Sequence, residues 1–594
     1  MSGYRLWSIL YPAVALLVMG WMVWRSPALG RTRFRWVENR VGRMARHPWR
    51  VAAGLVVASL TLCVAIALLV RSPQPVIADE FSYLLAAETF REGRISNPPP
   101  PSWPHFESLH VLMQPTWASK YPPAQGLAMA AGWKLGGAPI VGVWISLALG
   151  CAAVYWMLLG WVRPREALVG GVLAVLHPML LEWGQNFWGG AIALGGGALV
   201  LGATGRLRCG GSIRTGAVFG LGLAILAASR PFEGAVFGLL CGLLWLPALK
   251  RRSWRKAGTT LLAVGLPLVP ALLLLATYHS GVTGSVWEMP YQVHERSYAV
   301  APPFLWQPLR EAPVYRHDSL RRFYTGFAQE THLEQQSLAG WLRRGLVRKL
   351  GILLRGYLGT AAMSVALLLL PWGLLARDRV VRPIAALLGL FLAILLGGTW
   401  VLPHYAAPAV GALFLLTVQG WRRLRSWSPG GRRRGLWLAR AAILMSFLGV
   451  IHVSLRIDRD ASGSWAWAAE RTALAERLRA GGTADSAENP SSQQKWLVLV
   501  RYGPGHNPHE EWVYNSIDLA ETPVLWAREM DRQSDQRLLA AFPDRQCRIL
   551  FLNGGPGELL PCPANISPSP PPEGQGDNLN GAGITPPHRK DRIK

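Results

Sequence analysis

The chain has 594 residues, of which 51% are hydrophobic and only 16% are charged. Few soluble globular proteins of this length carry so little charge, so the composition excludes an ordinary soluble protein. The net charge of +27 would fit nucleic-acid binding, but the basic residues are confined to short connections between apolar runs, so no nucleic acid is expected as a partner.

Apolar runs long enough to cross a bilayer, roughly 17–25 residues, recur along the chain. The first run has no obvious small-residue cleavage site and is followed by a basic stretch, which favours a membrane span over a signal peptide. We therefore predict a polytopic α-helical membrane protein with about 12 transmembrane helices. The predicted spans lie near residues 6–24, 51–70, 139–161, 166–182, 186–203, 213–229, 231–248, 257–277, 357–376, 381–400, 403–421 and 436–455.

Arginine and lysine crowd alternate connections between the predicted spans. Because basic residues are retained on the cytoplasmic side of a membrane, these connections are predicted to be cytoplasmic. The N-terminus, two long loops (71–138 and 278–356) and the chain after about residue 456 would then face outwards, as in a multi-pass protein of the cell (inner) membrane. The basic connections lie at residues 25–50, 163–165, 206–214, 250–256, 377–382 and 422–434.

The predicted domains follow from these patterns. After the last span, "KWLVLVRYG", "PVLWARE" and "CRILFLNG" predict strands, and "DQRLLAAF" predicts a helix, so a small α/β extracytoplasmic domain is expected. Cys547 and Cys562 fall in this outer part, where oxidising conditions allow a disulfide. The predicted divisions are 1–50 (first span and basic loop), 51–455 (transmembrane catalytic domain), 456–494 (helix and linker), 495–562 (α/β domain) and 563–594 (disordered tail).

Two adjacent carboxylates, Asp79 and Glu80, lie a few residues beyond a predicted span. The following "FSYLLAAETFREG" has a helix-forming composition and ends at Gly93. Asp79 could simply cap this helix, because free N–H groups and the helix dipole favour a carboxylate there. Alternatively, Asp79 is a general base that deprotonates an acceptor hydroxyl or amine, which then attacks a lipid-linked donor at the membrane boundary.

Four motifs carry a resemblance to a known superfamily. They are "DEFSYLLAAETFREGR" in the first long loop, "KYPPAQG" (Lys120–Gly126) at its end, "SRPFE" (Ser229–Glu233) at an outer hairpin and "PHYAAP" (Pro403–Pro408) at the start of a late span. Over roughly residues 50–455 the chain resembles the GT-C superfamily of integral-membrane glycosyltransferases. The likeness is to the branch with protein O-mannosyltransferases and the aminoarabinose transferase of lipid A modification.

The resemblance implies that Asp79 is the catalytic aspartate and that Glu80 orients Asp79 or the acceptor. It also implies a polyprenyl-phosphate-linked sugar donor and transfer on the outer face, usually with inversion. Such a phosphate is already a good leaving group, so the enzyme need only activate the acceptor and neutralise the phosphate charge. Lys120, Arg230 and His404 are the cationic candidates for that neutralisation, although each has a structural alternative: snorkelling for Lys120, a hairpin contact for Arg230 and a hydrogen bond within the bundle for His404.

Further residues are expected at the substrate site. Tyr121 and Tyr405 belong to the same motifs as Lys120 and His404 and are predicted to bind substrate. Glu182 and Asn186, in "LEWGQNFWGG" at another outer hairpin, would line the same cavity or form a plain polar turn.

Other readings of the sequence stay open. The spacing in "GHNPHEEW" is similar to that of metal ligands, but HExxH is absent, so catalytic zinc is not expected and the need for a divalent cation is undecided. A polymerase or ligase of lipid-linked glycans would depend on Arg296, Arg310 or Arg316 instead of Asp79. A transporter or flippase would favour charges in mid-membrane, whereas here they lie at the edges. A non-enzymatic scaffold is the remaining alternative. The sugar, the length of its carrier and the class of acceptor (protein, lipid or polysaccharide) are not readable from the sequence.

Overall fold

The computed structural model describes Trp21 and residues 31–358, 361–368, 378–428, 434–463, 465–480 and 494–563. Apart from Trp21, the predicted first span (6–24) therefore lies outside the described residues, as do most of the predicted linker and all of the predicted tail except Pro563.

Long apolar helices form most of the described structure. Six of them are long and apolar enough to cross a membrane, and two more apolar helices are shorter, which supports a multi-pass membrane protein. In chain order the first helices are α1 (Arg31–Met44), α2 (Pro48–Leu69), α3 (Ala78–Arg91), α4 (Pro123–Gly136), α5 (Pro139–Leu159), α6 (Pro164–Val175), α7 (Pro178–Trp183), α8 (Gly190–Arg208), α9 (Ile213–Ser229), α10 (Pro231–Lys250) and α11 (Trp254–Thr283).

The later helices include both spans and short surface segments. A 3₁₀ turn at Pro403–Ala409 and two π-helical turns, Arg322–Ala328 and Trp341–Arg348, lie among them. The helices are α12 (Pro290–Tyr298), α13 (Asp318–Arg321), α14 (Gln329–Leu333), α15 (Leu338–Gly340), α16 (Lys349–Tyr357), α17 (Ala361–Leu368), α18 (Val381–Leu396), α19 (Val410–Ser426), α20 (Arg434–Ser462), α21 (Ala466–Arg479) and α22 (Arg532–Ala541).

Two predicted spans differ from the structure. The predicted span 166–182 is two helices, α6 and α7, because Pro178 lacks the N–H that would continue α6 and starts a new helix instead. The predicted span 403–421 begins with the 3₁₀ turn, and α19 starts only at Val410. The predicted number of about 12 spans is thus not confirmed by the described residues. The stretch Pro123–Gly136 forms a short helix, α4.

The helix bundle has one large apolar core around α8, which is rich in glycine and alanine. At Gly197 of α8 a Cβ atom would collide with the backbone of Pro408, so only glycine lets the 3₁₀ turn that begins with Pro403 lie directly against α8. The most deeply buried apolar side chains of this core include Leu147, Val154, Leu194, Val200, Phe237 and Phe414.

Basic connections meet at one end of the bundle. Glu38 of α1 pairs with Arg440 at 2.9 Å and with Arg425 at 3.6 Å, and Asp378 pairs with Arg423 at 2.6 Å. These contacts bring together three of the connections that the sequence predicts to be cytoplasmic. Which side of the membrane they face stays a prediction.

At the other end, three segments that are far apart in sequence pack on one another: residues 76–122, 290–333 and 494–563. We call them the loop assembly. Tyr298 donates to Glu107 at 2.9 Å, and Tyr514 donates to the carbonyl of Leu109 at 2.9 Å. Within the first segment, the strands β1 (Val111–Leu112) and β2 (Ala118–Ser119) pair antiparallel.

The C-terminal part of the loop assembly contains a four-stranded sheet, as the sequence predicts in outline. Strands β3, β4 and β5 are the three predicted ones and pair parallel, whereas β6 was not predicted and pairs antiparallel at the edge. Cys547 and Cys562 are joined by a disulfide, with their Cα atoms 5.6 Å apart. The strand order is β4-β3-β5-β6, with bounds Lys495–Tyr502 (β3), Val524–Arg528 (β4), Arg545–Leu552 (β5) and Glu558–Pro561 (β6).

Candidate active site

Asp79 lies in the first turn of α3, where the helix dipole favours a carboxylate. The N-cap of this helix is Ile77, whose apolar side chain cannot accept a hydrogen bond. Asp79 is therefore in the first turn of the helix and is not its N-cap, although the helix dipole still favours its carboxylate there. The helix ends as predicted, with Gly93 in the left-handed region (φ +73°) just beyond it.

The Asp79 carboxylate faces two partners from the rest of the first long loop. Tyr121 donates its hydroxyl to Oδ1 at 2.5 Å, and Nε2 of His110 lies 3.6 Å from Oδ2. Burial and the nearby carboxylate raise the pKa of Tyr121 well above its ordinary value, so the hydroxyl stays a donor. Burial also lowers the pKa of His110 far below its ordinary value, so this imidazole is neutral at pH 7. Asp79 remains 26% exposed, and its Oδ2 can accept a proton.

Glu80 points away from this pair. Its two oxygens accept hydrogen bonds from the N–H groups of Val76 at 2.7 Å and Phe187 at 2.8 Å. The side chain is fully buried, and burial raises its pKa to about 7. Glu80 therefore ties the start of α3 to the connection before α8. These contacts hold the backbone in place, and the expected role of Glu80 in orienting Asp79 or the acceptor stays a prediction.

Lys120 is buried in the loop assembly. Its ammonium lies 3.4 Å from Glu295 and within about 5 Å of the ring centres of Tyr121 and Tyr291. Burial alone would raise the pKa of Glu295, but the Lys120 ammonium and the His294 imidazole outweigh it and lower that pKa. Lys120 thus stands beside Tyr121 as a fixed cation and does not snorkel towards solvent.

Arg230 and His404, predicted from two separate motifs, meet at Tyr405. The Arg230 guanidinium lies 4.7 Å from the centre of the Tyr405 ring, and the His404 ring centre lies 4.9 Å from it. Nε of Arg230 is buried without a hydrogen-bond partner among the described residues. Such a guanidinium is available to an anionic ligand. The Tyr83 ring stacks on Tyr121 at 4.5 Å and connects α3 to the Lys120 motif.

A cavity of about 710 Å³ opens beside this cluster, between the segment 71–77 that leads into α3 and the helices α7, α16 and α20. Of the predicted residues, Glu80, Glu182, Asn186 and His404 line it. The others do not: Asp79, Lys120, Tyr121, Arg230 and Tyr405. Glu182 pairs with Arg456 at 3.1 Å across the cavity wall. Other lining side chains are Arg71, Met179, Trp188, Ile352, Leu354 and Arg355.

Sequence reasoning missed four residues of the site: Tyr83, His110, His294 and Glu295. Tyr83 lies inside the quoted motif "DEFSYLLAAETFREGR" but was not singled out there. No local motif marks the other three, because each acts through a contact with a segment that is distant in sequence. Composition is the signal that could have been used, because most of the histidines that have an aromatic residue close by in the sequence lie in the predicted outer loops.

The arginines of the ligase alternative do not converge. Arg296 pairs with Glu288 at 2.9 Å on the surface, Arg310 donates to the carbonyl of Glu295 at 2.9 Å, and Arg316 lies 3.2 Å from Glu107. Each supports the loop assembly. Within the described part of the chain, no group of three or more His, Cys, Asp or Glu side chains is arranged to hold a metal ion.

No protein-family model matches the sequence, and no curated protein matches it at a significant level. Among solved structures, the chain is similar to ArnT from Cupriavidus metallidurans in the apo state, with 11% identity and a TM-score of 0.49 over 84% of this chain and 93% of that one. The same protein bound to undecaprenyl phosphate gives 12% identity and a TM-score of 0.46 over 85% and 92%. The Archaeoglobus fulgidus oligosaccharyltransferase gives 13% and 0.43 over 78% and 63%.

Identities this low and TM-scores below 0.5 leave the activity to be argued from the residues of this chain.

Proposed function

We propose that this protein is a membrane glycosyltransferase that moves a sugar from a polyprenyl-phosphate donor to an acceptor on the extracytoplasmic face, with Asp79 as the general base. The observation that carries the proposal is the setting of Asp79. Its carboxylate is partly exposed, one oxygen is held by Tyr121, and a cavity walled by apolar helices begins at the next residue, Glu80.

The proposed reaction needs one base and one neutralised phosphate. Asp79 takes the proton of an acceptor hydroxyl or amine, whose oxygen or nitrogen forms a bond to the anomeric carbon of the sugar. The bond from that carbon to the phosphate oxygen breaks, and polyprenyl phosphate leaves with the electron pair. Tyr121 holds Oδ1 so that Oδ2 is presented to the acceptor, and neutral His110 leaves the charge of the carboxylate uncompensated.

The cavity fits the lipid part of such a donor. Its wall carries apolar side chains, Met179, Ile352 and Leu354, which suit a polyprenyl chain. Its rim carries the guanidinium groups of Arg71 and Arg355, which suit a phosphate at the membrane boundary. His404, Tyr405 and Arg230 continue from this rim towards Asp79, so the sugar would lie between the cavity and the carboxylate.

Asp79→Asn is the decisive variant. It keeps the shape of the side chain and the hydrogen bond from Tyr121 but removes the basic oxygen, so sugar transfer should fall by roughly 10²–10⁴-fold. Transfer from a polyprenyl-phosphate-linked sugar is measured with purified protein at matched expression. The acceptor is supplied as membranes of a strain that lacks the protein.

Glu92→Gln is the matched control, because Glu92 is an exposed carboxylate at the other end of α3 and pairs with Arg91 at 2.9 Å. It should transfer at the wild-type rate. An Asp79→Asn enzyme that works within threefold of the wild type would remove Asp79 as the base. Glycolipids and surface glycans that are identical by mass spectrometry in a deletion strain and its parent would remove the proposed function altogether.

A further inference from the structure

One loop of the C-terminal sheet region reaches back to the candidate active site. This loop, residues 503–511 ("GPGHNPHEE"), follows β3. Arg322 donates hydrogen bonds to the carbonyls of Gly503 at 3.2 Å and Pro504 at 2.7 Å. Asn553 accepts from the N–H of Gly505 at 2.7 Å. The loop is therefore held from two sides and has a defined position.

His509, near the end of this loop, is separated from the proposed general base by two rings, those of Phe323 and His110. Its ring meets Phe323 edge-on at 5.3 Å and Phe327 edge-on at 4.4 Å. Phe323 in turn meets His110 edge-on at 5.9 Å, and His110 lies 3.6 Å from Oδ2 of Asp79. The loop thus places a second imidazole in the aromatic cluster that borders Oδ2 of Asp79, the oxygen proposed to take the proton of the acceptor.

The imidazole of His509 is accessible to a ligand. The residue is exposed to solvent although its ring packs against two phenylalanines. That packing lowers the pKa of His509, and the charge of Asp79 opposes the shift, so the two groups lie within electrostatic reach. Beside it, Phe327 is 42% exposed and stacks on Trp400, with the two ring centres 5.4 Å apart. The imidazole therefore packs against one of two stacked aromatic rings.

The position of this loop relative to Asp79 is fixed by buried contacts of the sheet region. Glu511, the last residue of the loop, forms an ion pair with Arg528, and both side chains are at most 3% exposed. Arg528 also donates to the carbonyl of Glu107 at 2.5 Å. Tyr514 stacks on Phe81 of α3 with ring centres 4.4 Å apart. The helix that carries Asp79 and the loop that carries His509 therefore behave as one packed unit.

We infer that loop 503–511 forms the acceptor side of the site and that His509 is a positioning residue, which holds the acceptor's attacking hydroxyl or amine towards Asp79. This inference rests on the proposed function. The donor side is a different surface, since the cavity beside Glu80 and His404 includes no residue of this loop. An imidazole suits the task because one ring nitrogen donates and the other accepts a hydrogen bond.

The test separates acceptor binding from donor binding. Purified full-length protein is assayed with a polyprenyl-phosphate-linked sugar while membranes of a deletion strain, which hold the unmodified acceptor, are titrated. For His509→Ala, the amount of membranes at half-maximal rate should rise about tenfold, as expected for one lost hydrogen bond of about 1.4 kcal/mol. The donor concentration at half-maximal rate should not change. His509→Gln should recover part of the loss, because its amide can still donate and accept.

Asp544→Asn is the control, since Asp544 is exposed on the same sheet region and pairs only at the surface with Lys495 at 3.6 Å. A His509→Ala enzyme with wild-type acceptor dependence, or with acceptor and donor dependence changed alike, would overturn the inference. If His509→Ala does not fold, the amount of membranes at half-maximal rate is measured for His509→Gln instead and is judged in the same way. Asp79→Asn in the same assay keeps the two proposals apart: an inactive Asp79→Asn with a normal His509→Ala removes only the role of His509.

Discussion

The helix bundle and the loop assembly are held together by different kinds of contact. The bundle is a continuous apolar core in which glycine allows helices to approach closely, as at Gly197 against the turn at Pro408. The loop assembly depends on buried polar groups joined over long sequence distances, as between Glu107 and Tyr298 or Arg528 and Ser319. The candidate catalytic residues lie where the two regions meet. The apolar helix bundle therefore supports the site, whereas the geometry of the site depends on individual polar contacts of the loop assembly.

This comparison has an energetic side. Apolar packing tolerates substitutions of similar volume, whereas a buried charge that loses its partner is strongly unfavourable. Glu107 shows the pattern: it is 2% exposed, accepts from Tyr298 at 2.9 Å and lies 3.2 Å from Arg316 and 3.4 Å from His317. Burial alone would raise the pKa of Glu107, but these partners outweigh it and lower the pKa. We expect single polar substitutions to disrupt the loop assembly while leaving the bundle intact.

The largest expected effect concerns the side of the membrane that each region faces. A reporter that works only outside the cytoplasm should be active when fused after Pro303 or Asn515, which lie in the loop assembly. It should be silent after Arg252 or Arg433, which lie in basic connections that the positive-inside rule retains in the cytoplasm. One reversed fusion would contradict the predicted sidedness and the extracytoplasmic position of the candidate site.

Arg528→Met should undock the sheet region from the rest of the loop assembly. The substitution removes a fully buried guanidinium that pairs with Glu511 and donates to Ser319 at 2.6 Å, and it leaves the Glu511 carboxylate buried without its partner. Breaking such a pair costs about 3–5 kcal/mol, so the sheet region should become sensitive to protease at a much lower temperature.

The control for this variant is Arg537→Met, because Arg537 is exposed on α22 and donates only to Ser534 at 3.1 Å. It should keep the protease resistance of the wild type. If Arg528→Met and Arg537→Met are equally resistant while the Trp fluorescence of both is unchanged, Arg528 does not hold the sheet region to the rest of the loop assembly.

The sequence predicted the bundle better than the loop assembly, for a physical reason. A bilayer requires long apolar runs, so hydropathy alone located helices such as α2 and α5 close to their observed bounds. It failed where backbone geometry interrupts a run, as at Pro178, which separates α6 from α7. Strands β3 and β5 were predictable from short apolar runs, but the edge strand β6 was not, because "ELLP" is too short to form a pattern.

The candidate site was predictable in part. Asp79, Lys120, Arg230 and His404 came from motifs, and their nearness to one another and to Tyr121 and Tyr405 is visible only in the fold. The contact between His110 and Asp79 joins residues 31 positions apart, and no spacing rule in a loop predicts it. His509 lies more than 400 residues after Asp79 in the sequence. Pairings of this kind are set by tertiary packing, which single-sequence patterns do not encode.

The disulfide offers a smaller change within the loop assembly. Cys547 and Cys562 close a loop of 15 residues at the far edge of the sheet, between β5 and the end of β6. Replacing both with serine should lower the stability of the sheet region by about 3 kcal/mol, according to the loop-closure relation. Thiol labelling of the unreduced, unfolded wild-type protein should find neither of these two cysteines free. Labelling of both would show that the bridge does not form in the cell.

Glu80→Gln should have the smallest effect on activity and a distinctive effect on stability. Burial raises the pKa of Glu80 from 4.5 to about 7, so the folded protein holds this proton more tightly than the unfolded chain does. The resulting stabilisation is therefore complete below about pH 4.5 and is lost as the pH rises through 7. A shift of this size corresponds to a free energy on the order of 3 kcal/mol.

Glutamine is neutral at every pH, so Glu80→Gln should flatten the wild-type decline in unfolding free energy between about pH 4.5 and 7. Its single carbonyl oxygen can accept from only one of the N–H groups of Val76 and Phe187, which costs about 1 kcal/mol at low pH. The two stability curves should thus cross, with the variant weaker near pH 5 and equal or stronger near pH 8. Because Glu80 positions α3 and does not touch the acceptor, transfer should stay within about tenfold of the wild type. Stability curves that run parallel from pH 5 to 8 would show that Glu80 is charged in the folded protein. A loss of transfer as large as that of Asp79→Asn would show that Glu80 belongs to the reacting groups.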